Sequence, residues 1–214
     1  MVDIEKIEKR TVQSFYEDGL AEIALGLIVL LLGGYFFAKA IVPEGSSFRA
    51  ALDLLFFLAI ALMLLANPIV RFFKRRITYP RTGYVTFKKK ELSPKRRVAT
   101  AVVAAIISAS LAALYSLSPS FKALYPAVNG LLFGVAALFF ANKVGLMRFY
   151  VLAAASAVIG VAVTAAGIGD FKGISLYYAF FGGALIISGL AALIVFLRRL
   201  PRPAADASEG PDAR

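Results

Sequence analysis

The chain has 214 residues, of which 60% are hydrophobic and only 17% charged, and its formal net charge is +11. Soluble domains are about 45–50% apolar and about 25% charged, so this balance favours a membrane protein. Cysteine and histidine are both absent, which excludes disulfides, thiolate or imidazole metal sites, and Ser-His or Cys-His nucleophile pairs.

The N-terminal segment has the pattern of a short amphipathic helix. Across residues 2–16, apolar side chains recur at helical spacing and charged residues occupy the rest of the turn. We therefore predict that residues 1–18 form an amphipathic helix at the membrane interface. Asp18 is a plausible N-cap for the helix that follows.

Six apolar stretches come next, each long enough to cross about 30 Å of hydrocarbon as a helix. They lie near residues 20–41, 51–72, 98–117, 124–142, 147–168 and 174–197. The predicted fold is therefore all-α, a polytopic transmembrane helical bundle of six spans. Its parts after the N-terminal helix are a transmembrane hairpin (19–73), a basic cytoplasmic loop (74–97), a four-helix transmembrane region (98–199) and a disordered tail (200–214).

The basic residues predict the orientation of these spans. With six spans, twenty Lys and Arg residues share the side of both termini and the long loop. The other side holds four, which are Lys39, Arg49, Lys122 and Lys172. The positive-inside rule then places both termini in the cytoplasm, with the spans in the cytoplasmic (inner) membrane. An alternative is that span 1 is a signal peptide cleaved near Ala38-Lys39-Ala40, although the five acids before it argue against this.

Small residues recur on one face of several predicted spans, as in helices that approach closely in lipid. The sets are Gly19, Gly26 and Gly33; Gly130 and Gly134; Ser156, Gly160 and Thr164; and Gly182 and Gly189. We interpret them as helix packing within one chain, with a dimer face as the alternative.

Residues 71–97 carry eleven basic residues against one acid, Glu91. β-Prone residues on both sides of a Pro and Gly turn predict a small hairpin from Ile77 to Phe87. The segment is a candidate site for anionic lipid headgroups or a partner protein. The residues proposed for this contact are Arg75, Arg76, Tyr79, Arg81, Tyr84, Lys88, Lys89 and Lys90. The simpler alternative is a loop whose charges only fix orientation, and binding to nucleic acid is not expected.

Few acidic or amide side chains fall within the spans, and such groups are candidates for function. The candidates are Glu22, Asp53, Asn67 and Asn129. We predict that Glu22 pairs with Arg71 through Asn67, and that Asp53 pairs with Arg49 one turn earlier. Helix pairing near the headgroups is the alternative to a functional role, and Asn129 is of a type that more often joins helices than binds a substrate.

No enzymatic signature is present, because P-loops are absent and carboxylates occur only singly. We expect no catalytic site, no cofactor and no metal. The sequence favours a membrane subunit or scaffold that interacts with lipid, a partner membrane protein or a second copy of the chain. The alternative is a small-solute or ion transporter or channel, which would need a polar cavity reaching Asn129.

Overall fold

The computed structural model describes residues 13–43, 45–82 and 118–200. Within these ranges all regular structure is helical, and residues 13–16 form a helical turn before the first long helix. The helices that follow are α1 (Leu20–Ile41), α2 (Ser47–Ile77), α3 (Tyr79–Thr82), α4 (Pro119–Val144), α5 (Met147–Ala165) and α6 (Asp170–Arg199).

Five of these helices, all except α3, are long and apolar enough to cross a membrane. The shortest, α5, has 19 residues and spans about 28 Å, close to the thickness of the hydrocarbon core. The all-helical fold is therefore confirmed over the described residues, and the five long apolar helices are consistent with a membrane protein. The predicted span at 98–117 and the first twelve residues of the predicted amphipathic helix lie outside them.

The long helices run up and down between two ends of one bundle. The start of α1 lies beside the end of α2, where Lys74 Nζ is 2.6 Å from Asp18 Oδ2. The end of α1 lies beside the start of α2, where Lys39 Nζ is 2.9 Å from Asp53 Oδ1. We call the end that holds the start of α1 the base, and the opposite end the top.

The helices α4 and α5 form a second hairpin beside α6. The start of α6 is at the top, because the ring of Phe171 is 6.1 Å from that of Phe36 near the end of α1. Helix α4 also begins at the top, where Ala123 packs against Gly169, the residue before α6. It ends at the base, where the ring of Phe140 is 5.0 Å from that of Tyr16. The first turn of α5 is also at the base, since the ring of Phe149 is 6.2 Å from Tyr16. Helix α2 therefore ends at the base, whereas α4 begins at the top.

Two pairs of glycines face each other where α1 packs against α6, Gly19 with Gly189 and Gly26 with Gly182. A Cβ atom built on Gly26 would lie 2.9 Å from the carbonyl oxygen of Gly182, and one on Gly189 would lie 2.7 Å from that of Gly19. Gly19 also has a φ of 68°, a conformation that L side chains rarely adopt. The prediction that these glycines pack within the chain is confirmed.

The small residues of α4 and α5 meet in the same way. The Cα of Gly130 is 2.8 Å from where a Cβ on Gly160 would lie. The hydroxyl of Ser156 donates to the carbonyl of Gly130 at 2.9 Å, and the hydroxyl of Thr164 accepts from the backbone N–H of Ala127 at 3.0 Å. Close approach thus lets side-chain hydroxyls bond to the neighbouring backbone.

Helix α2 is the least enclosed of the five. Its buried residues lie on one stripe that faces α1, and they are Leu52, Ala59, Val70 and Lys74. Large apolar side chains such as Leu54, Phe57 and Leu64 are more than 60% exposed, as expected for a surface that faces lipid.

The start of the predicted basic loop is helical, so the predicted first strand of its hairpin is wrong. Helix α2 continues to Ile77, and Tyr79–Thr82 forms α3. The backbone N–H of Thr78 still bonds to the carbonyl of Lys74 at 2.9 Å, so helical hydrogen bonding persists through this segment. Residues 83–97 lie outside the described part of the chain.

Candidate functional site

Asp18 is the first member of a buried ionic cluster at the base. It lies in the turn before α1 and its side chain has no solvent exposure. One carboxylate oxygen accepts from Lys74 Nζ at 2.6 Å and from the hydroxyl of Thr78 at 2.8 Å. The other accepts from the backbone N–H of Leu20 at 3.3 Å. The N-cap position itself is occupied by Gly19, so Asp18 bonds to the helix start from one position earlier than predicted.

Lys74 is the partner of Asp18 and is only 1% exposed. Its ammonium group also donates to the backbone carbonyl of Phe15 and lies 4.0 Å from the centre of the Phe15 ring. In the sequence, Lys74 is one of the eleven basic residues of segment 71–97, and nothing there distinguished it as buried. The signal that could have identified it is its spacing, because Val70 and Thr78, four residues to either side, are also buried and lie on the same helix face.

Glu22 forms the second half of the cluster and is 3% exposed. Its Oε1 lies 2.7 Å from Nε of Arg148, and its Oε2 accepts from the hydroxyl of Ser188 at 2.8 Å. The Arg148–Glu22 contact is an ion pair rather than an aligned hydrogen bond, since neither atom has a partner in hydrogen-bond geometry. The predicted pair with Arg71 is wrong, because Glu22 faces α5 and α6 whereas Arg71 is exposed on α2.

Arg148 and Lys74 together hold the segment before α1 against the bundle. The guanidinium of Arg148 donates to the backbone carbonyl of Tyr16 and lies 3.4 Å from that of Glu17, while Lys74 bonds to that of Phe15. These carbonyls end the helical turn at residues 13–16, where cations interact favourably with the helix dipole.

The cluster is electrically balanced, with two carboxylates and two cations. Burying these charges carries a desolvation penalty, which close pairing and additional hydrogen bonds offset. The members come from the pre-α1 turn, α1, α2, α5 and α6, so one set of contacts joins almost every described element at the base. The hydrogen-bonded partners are far apart in sequence: Lys74 and Asp18 by 56 residues, and Ser188 and Glu22 by 166 residues.

Asn129 lies within the bundle and is 8% exposed. Its side-chain amide donates to the carbonyl of Tyr125 at 3.0 Å and accepts from the hydroxyl of Tyr178 at 3.1 Å. Nearby, the hydroxyls of Ser156 and Tyr177 are hydrogen-bonded at 2.8 Å. Polar groups here connect α4 and α5 to α6.

Asp53 lies at the top, remote from the base cluster, and 48% of its side chain is exposed. It pairs with Lys39 at 2.9 Å and accepts from the hydroxyl of Tyr35 at 3.2 Å. The predicted partner of Asp53 was Arg49, one turn earlier on the same helix, and Lys39 on the neighbouring helix α1 was not predicted.

The described part of the basic segment presents arginines outward from the last turns of α2. Arg71, Arg75 and Arg76 are exposed. Asn67, Arg71 and Arg75 line a cavity of about 450 Å³. Asn67 is exposed there, whereas the buried Glu22 contacts Arg148 and Ser188. Tyr79 is half-buried in α3, the side chain of Arg81 is not described, and the remaining candidates lie outside the described residues, namely Tyr84, Lys88, Lys89 and Lys90.

No family model, no curated protein and no solved structure matches this chain. Among the residues the structure describes, no group of three or more Asp and Glu side chains could hold a metal ion.

Proposed function

We propose that this chain is a non-enzymatic, six-span protein of the cytoplasmic membrane that acts as a membrane subunit or scaffold. Its base faces the cytoplasm together with both termini. The exposed arginines of α2 and the basic residues that follow bind anionic lipid headgroups. The alternative is that the same basic surface binds a protein partner.

The positions of the helix ends support six spans. Helix α2 ends at the base and α4 begins at the top, so the chain between Thr82 and Ser118 has to join opposite ends of the bundle. A further span at the apolar stretch 98–117 would make this connection. Within the described residues, the top holds only four basic residues, Lys39, Arg49, Lys122 and Lys172. By the positive-inside rule, this distribution supports the proposal that the base is the cytoplasmic end.

The functional proposal rests on one observation: the interior polar side chains named above bond to groups on neighbouring helices. Asp18 bonds to Lys74, Glu22 pairs with Arg148, and Asn129 bonds to Tyr178. These groups hold helices together and present no unpaired charge to a substrate.

What the base offers to a ligand is its exposed basic surface. Arg71, Arg75 and Arg76 point away from the bundle on the last turns of α2. Each basic residue near an anionic membrane surface contributes about 1 kcal/mol of attraction. A run of such residues is therefore sufficient for selective contact with anionic lipid without a shaped pocket.

A transporter would need a water-filled path to the middle of the bundle. Among the described residues, the cavity on α2 is lined by α2 and a second cavity lies at the top. Asn129 lines neither of them. These positions favour the scaffold over the transporter. Loss of solute flux in liposomes on Asn129→Leu substitution would reverse this preference.

The test is native mass spectrometry of the protein extracted gently from its own membrane. The variant replaces Lys88, Lys89 and Lys90 by glutamate. The matched control replaces Lys143, Arg198 and Arg199 by glutamate. These residues are exposed at the base on other helices, so the control changes the net charge by the same amount.

We expect the wild type and the control to retain stoichiometric anionic lipid and the loop variant to lose it. A retained second polypeptide that the loop variant loses would instead indicate a protein partner. If the loop variant and the control behave alike, lipid or partner contact through Lys88, Lys89 and Lys90 is excluded.

A further inference from the structure

Helix α2 contains a proline, Pro68, between its apolar run and its base end. Proline has no backbone N–H, so the helical hydrogen bond to the carbonyl of Leu64 cannot form, and the ring crowds that carbonyl. Sharp bends in helices occur at such positions. Residues 69–77 follow the proline and remain helical to the end of α2. We call them the terminal segment of α2.

The terminal segment contacts the bundle along one narrow line. Of the other long helices, only α1 packs extensively against α2. The side chains that are buried after the proline lie one per turn, and they are Val70, Lys74 and Thr78. Two of these three side chains are polar, so polar contacts make up most of the attachment.

This polar attachment converges on Asp18. Lys74 Nζ and the hydroxyl of Thr78 both donate to Asp18 Oδ2, at 2.6 and 2.8 Å, and Lys74 also donates to the carbonyl of Phe15. The other oxygen of Asp18 accepts from the backbone N–H of Leu20, at the start of α1. The anchor thus belongs to α1 and the turn before it, whereas the donors belong to the end of α2.

Two features make this attachment reversible. A buried ion pair carries a desolvation penalty that offsets much of its attraction, so hydrating both members costs far less than removing one of them. The pair also lies next to the surface of the base, since the neighbouring Arg75 and Arg76 are exposed. An outward movement of the terminal segment would therefore let water replace the bonds between Asp18 and Lys74.

We propose that the terminal segment of α2 is a lever that bends at Pro68 and is latched to the bundle by Asp18. In the latched position, Lys74 and Thr78 bond to Asp18. In the released position, water replaces these bonds and the lever leans away from α1. A bend of about 20° over the roughly 10 Å from Pro68 to Arg75 moves Arg75 by about 4 Å.

The lever also carries Arg71 and Arg75, which are exposed on its outer side. Release therefore changes the position of the basic surface to which the proposed function assigns lipid contact. The lever itself does not depend on that function, because its hinge and its latch are made by Pro68, Asp18 and Lys74.

The experiment measures distances between two spin labels by double electron–electron resonance. The chain has no cysteine, so labels attach only where cysteines are introduced. The base pair is Arg75→Cys with Lys143→Cys, and the top pair is Ser47→Cys with Lys172→Cys; all four positions are exposed. The full chain is measured in dodecyl maltoside without added lipid.

The latch is released by Asp18→Asn, which leaves the cation of Lys74 on the lever without its counter-charge. Hydrogen bonds to charged groups are stronger than neutral ones, so the ratio of released to latched lever should rise about ten- to a hundredfold. We expect the base pair to gain a population at longer distance and the top pair to keep its distance.

Two second-site changes test the latch and the hinge separately. Lys74→Met added to Asp18→Asn removes the unpaired charge, so the base pair should return to its original distance. Pro68→Ala added to Asp18→Asn restores the helical hydrogen bond and should reduce the population at longer distance. Pro68 is exposed, so this change leaves the packing intact.

A single, unchanged base distance in Asp18→Asn overturns the proposal. A longer base distance that Pro68→Ala does not affect also overturns it, because the bend would then lie elsewhere. The same holds if the top and base distances change together, which would make Asp18 a support of the whole fold.

If Asp18→Asn does not fold, the release variant is Thr78→Val, which keeps the side-chain shape and removes one bond to Asp18. It should shift a smaller fraction to the longer base distance, and the absence of any shift overturns the proposal. Because no lipid is present, these outcomes are independent of lipid retention at Lys88, Lys89 and Lys90.

Discussion

Replacing Lys74 by methionine tests whether the base cluster determines stability. Met matches the length and apolar stem of Lys but carries no charge, so the change leaves the Asp18 carboxylate buried with only Thr78 and the Leu20 N–H as partners. Removing one member of a buried ion pair destabilises a protein by about 3–5 kcal/mol. We expect Lys74→Met to lower the free energy of unfolding by an amount in this range.

The matched control is Arg75→Met, one position along α2. Arg75 is exposed, so its substitution should change stability by no more than about 0.5 kcal/mol. The measurement is equilibrium unfolding in mixed detergent micelles, followed by far-UV circular dichroism. The midpoint of unfolding, expressed as the mole fraction of denaturing detergent in the micelles, should be clearly lower for Lys74→Met than for Arg75→Met.

A double-mutant cycle separates the ion pair from other losses. Asp18→Asn removes the charge left unpaired by Lys74→Met, so the double variant should be more stable than the sum of single effects predicts, by about 1–3 kcal/mol. Additive single effects, or equal stability of Lys74→Met and Arg75→Met, would refute the argument that this buried pair holds the base together.

Three further predictions concern packing, topology and the interior amide. Gly26→Ala should lower the free energy of unfolding by about 1–3 kcal/mol, because its Cβ would lie 2.9 Å from a backbone carbonyl of α6. The control is Gly34→Ala, which has open space around it and should leave the free energy of unfolding unchanged or raise it in the same assay. Because the chain has no cysteine, single cysteines can report topology. A membrane-impermeant maleimide added to intact cells should label Ser46→Cys and not Lys143→Cys, and the reverse pattern would invert the proposed orientation. Asn129→Leu should lower the unfolding free energy by no more than about 1.7 kcal/mol, the upper end for hydrogen bonds between membrane helices. Lipid retention in native mass spectrometry should not change. Loss of the lipid would contradict the assignment of Asn129 as a contact between helices.

The helices and their packing faces could be predicted because local patterns determine them. The bounds predicted for the first span, 20–41, are those of α1, since a long apolar run can satisfy its backbone in lipid only as a helix. The spacing of Gly19, Gly26 and Gly33 matched that of Gly182 and Gly189 because two helices in contact present equivalent positions every seven residues.

The partners of the charged residues could not be predicted in the same way. Glu22 was assigned to Arg71 on the grounds of depth in the membrane alone. Depth does not reveal which face of a helix meets which neighbour, and the observed partner, Arg148, lies on a helix that no local pattern connects to α1. Lys74 was missed for a related reason, because its charge suggested a loop although α2 remains helical past the apolar run.

The pairing of α1 with α6 has a consequence for how the protein is made. The glycine face of the first spanning helix has no described partner other than the last one, and about 150 residues separate their ends. At a synthesis rate of about 5–20 residues per second, α1 waits on the order of ten to thirty seconds in the membrane before its partner has been translated. During that interval its small-residue face is open to other helices, so a chain truncated before α6 should be a better substrate for membrane quality-control proteases than one truncated after it.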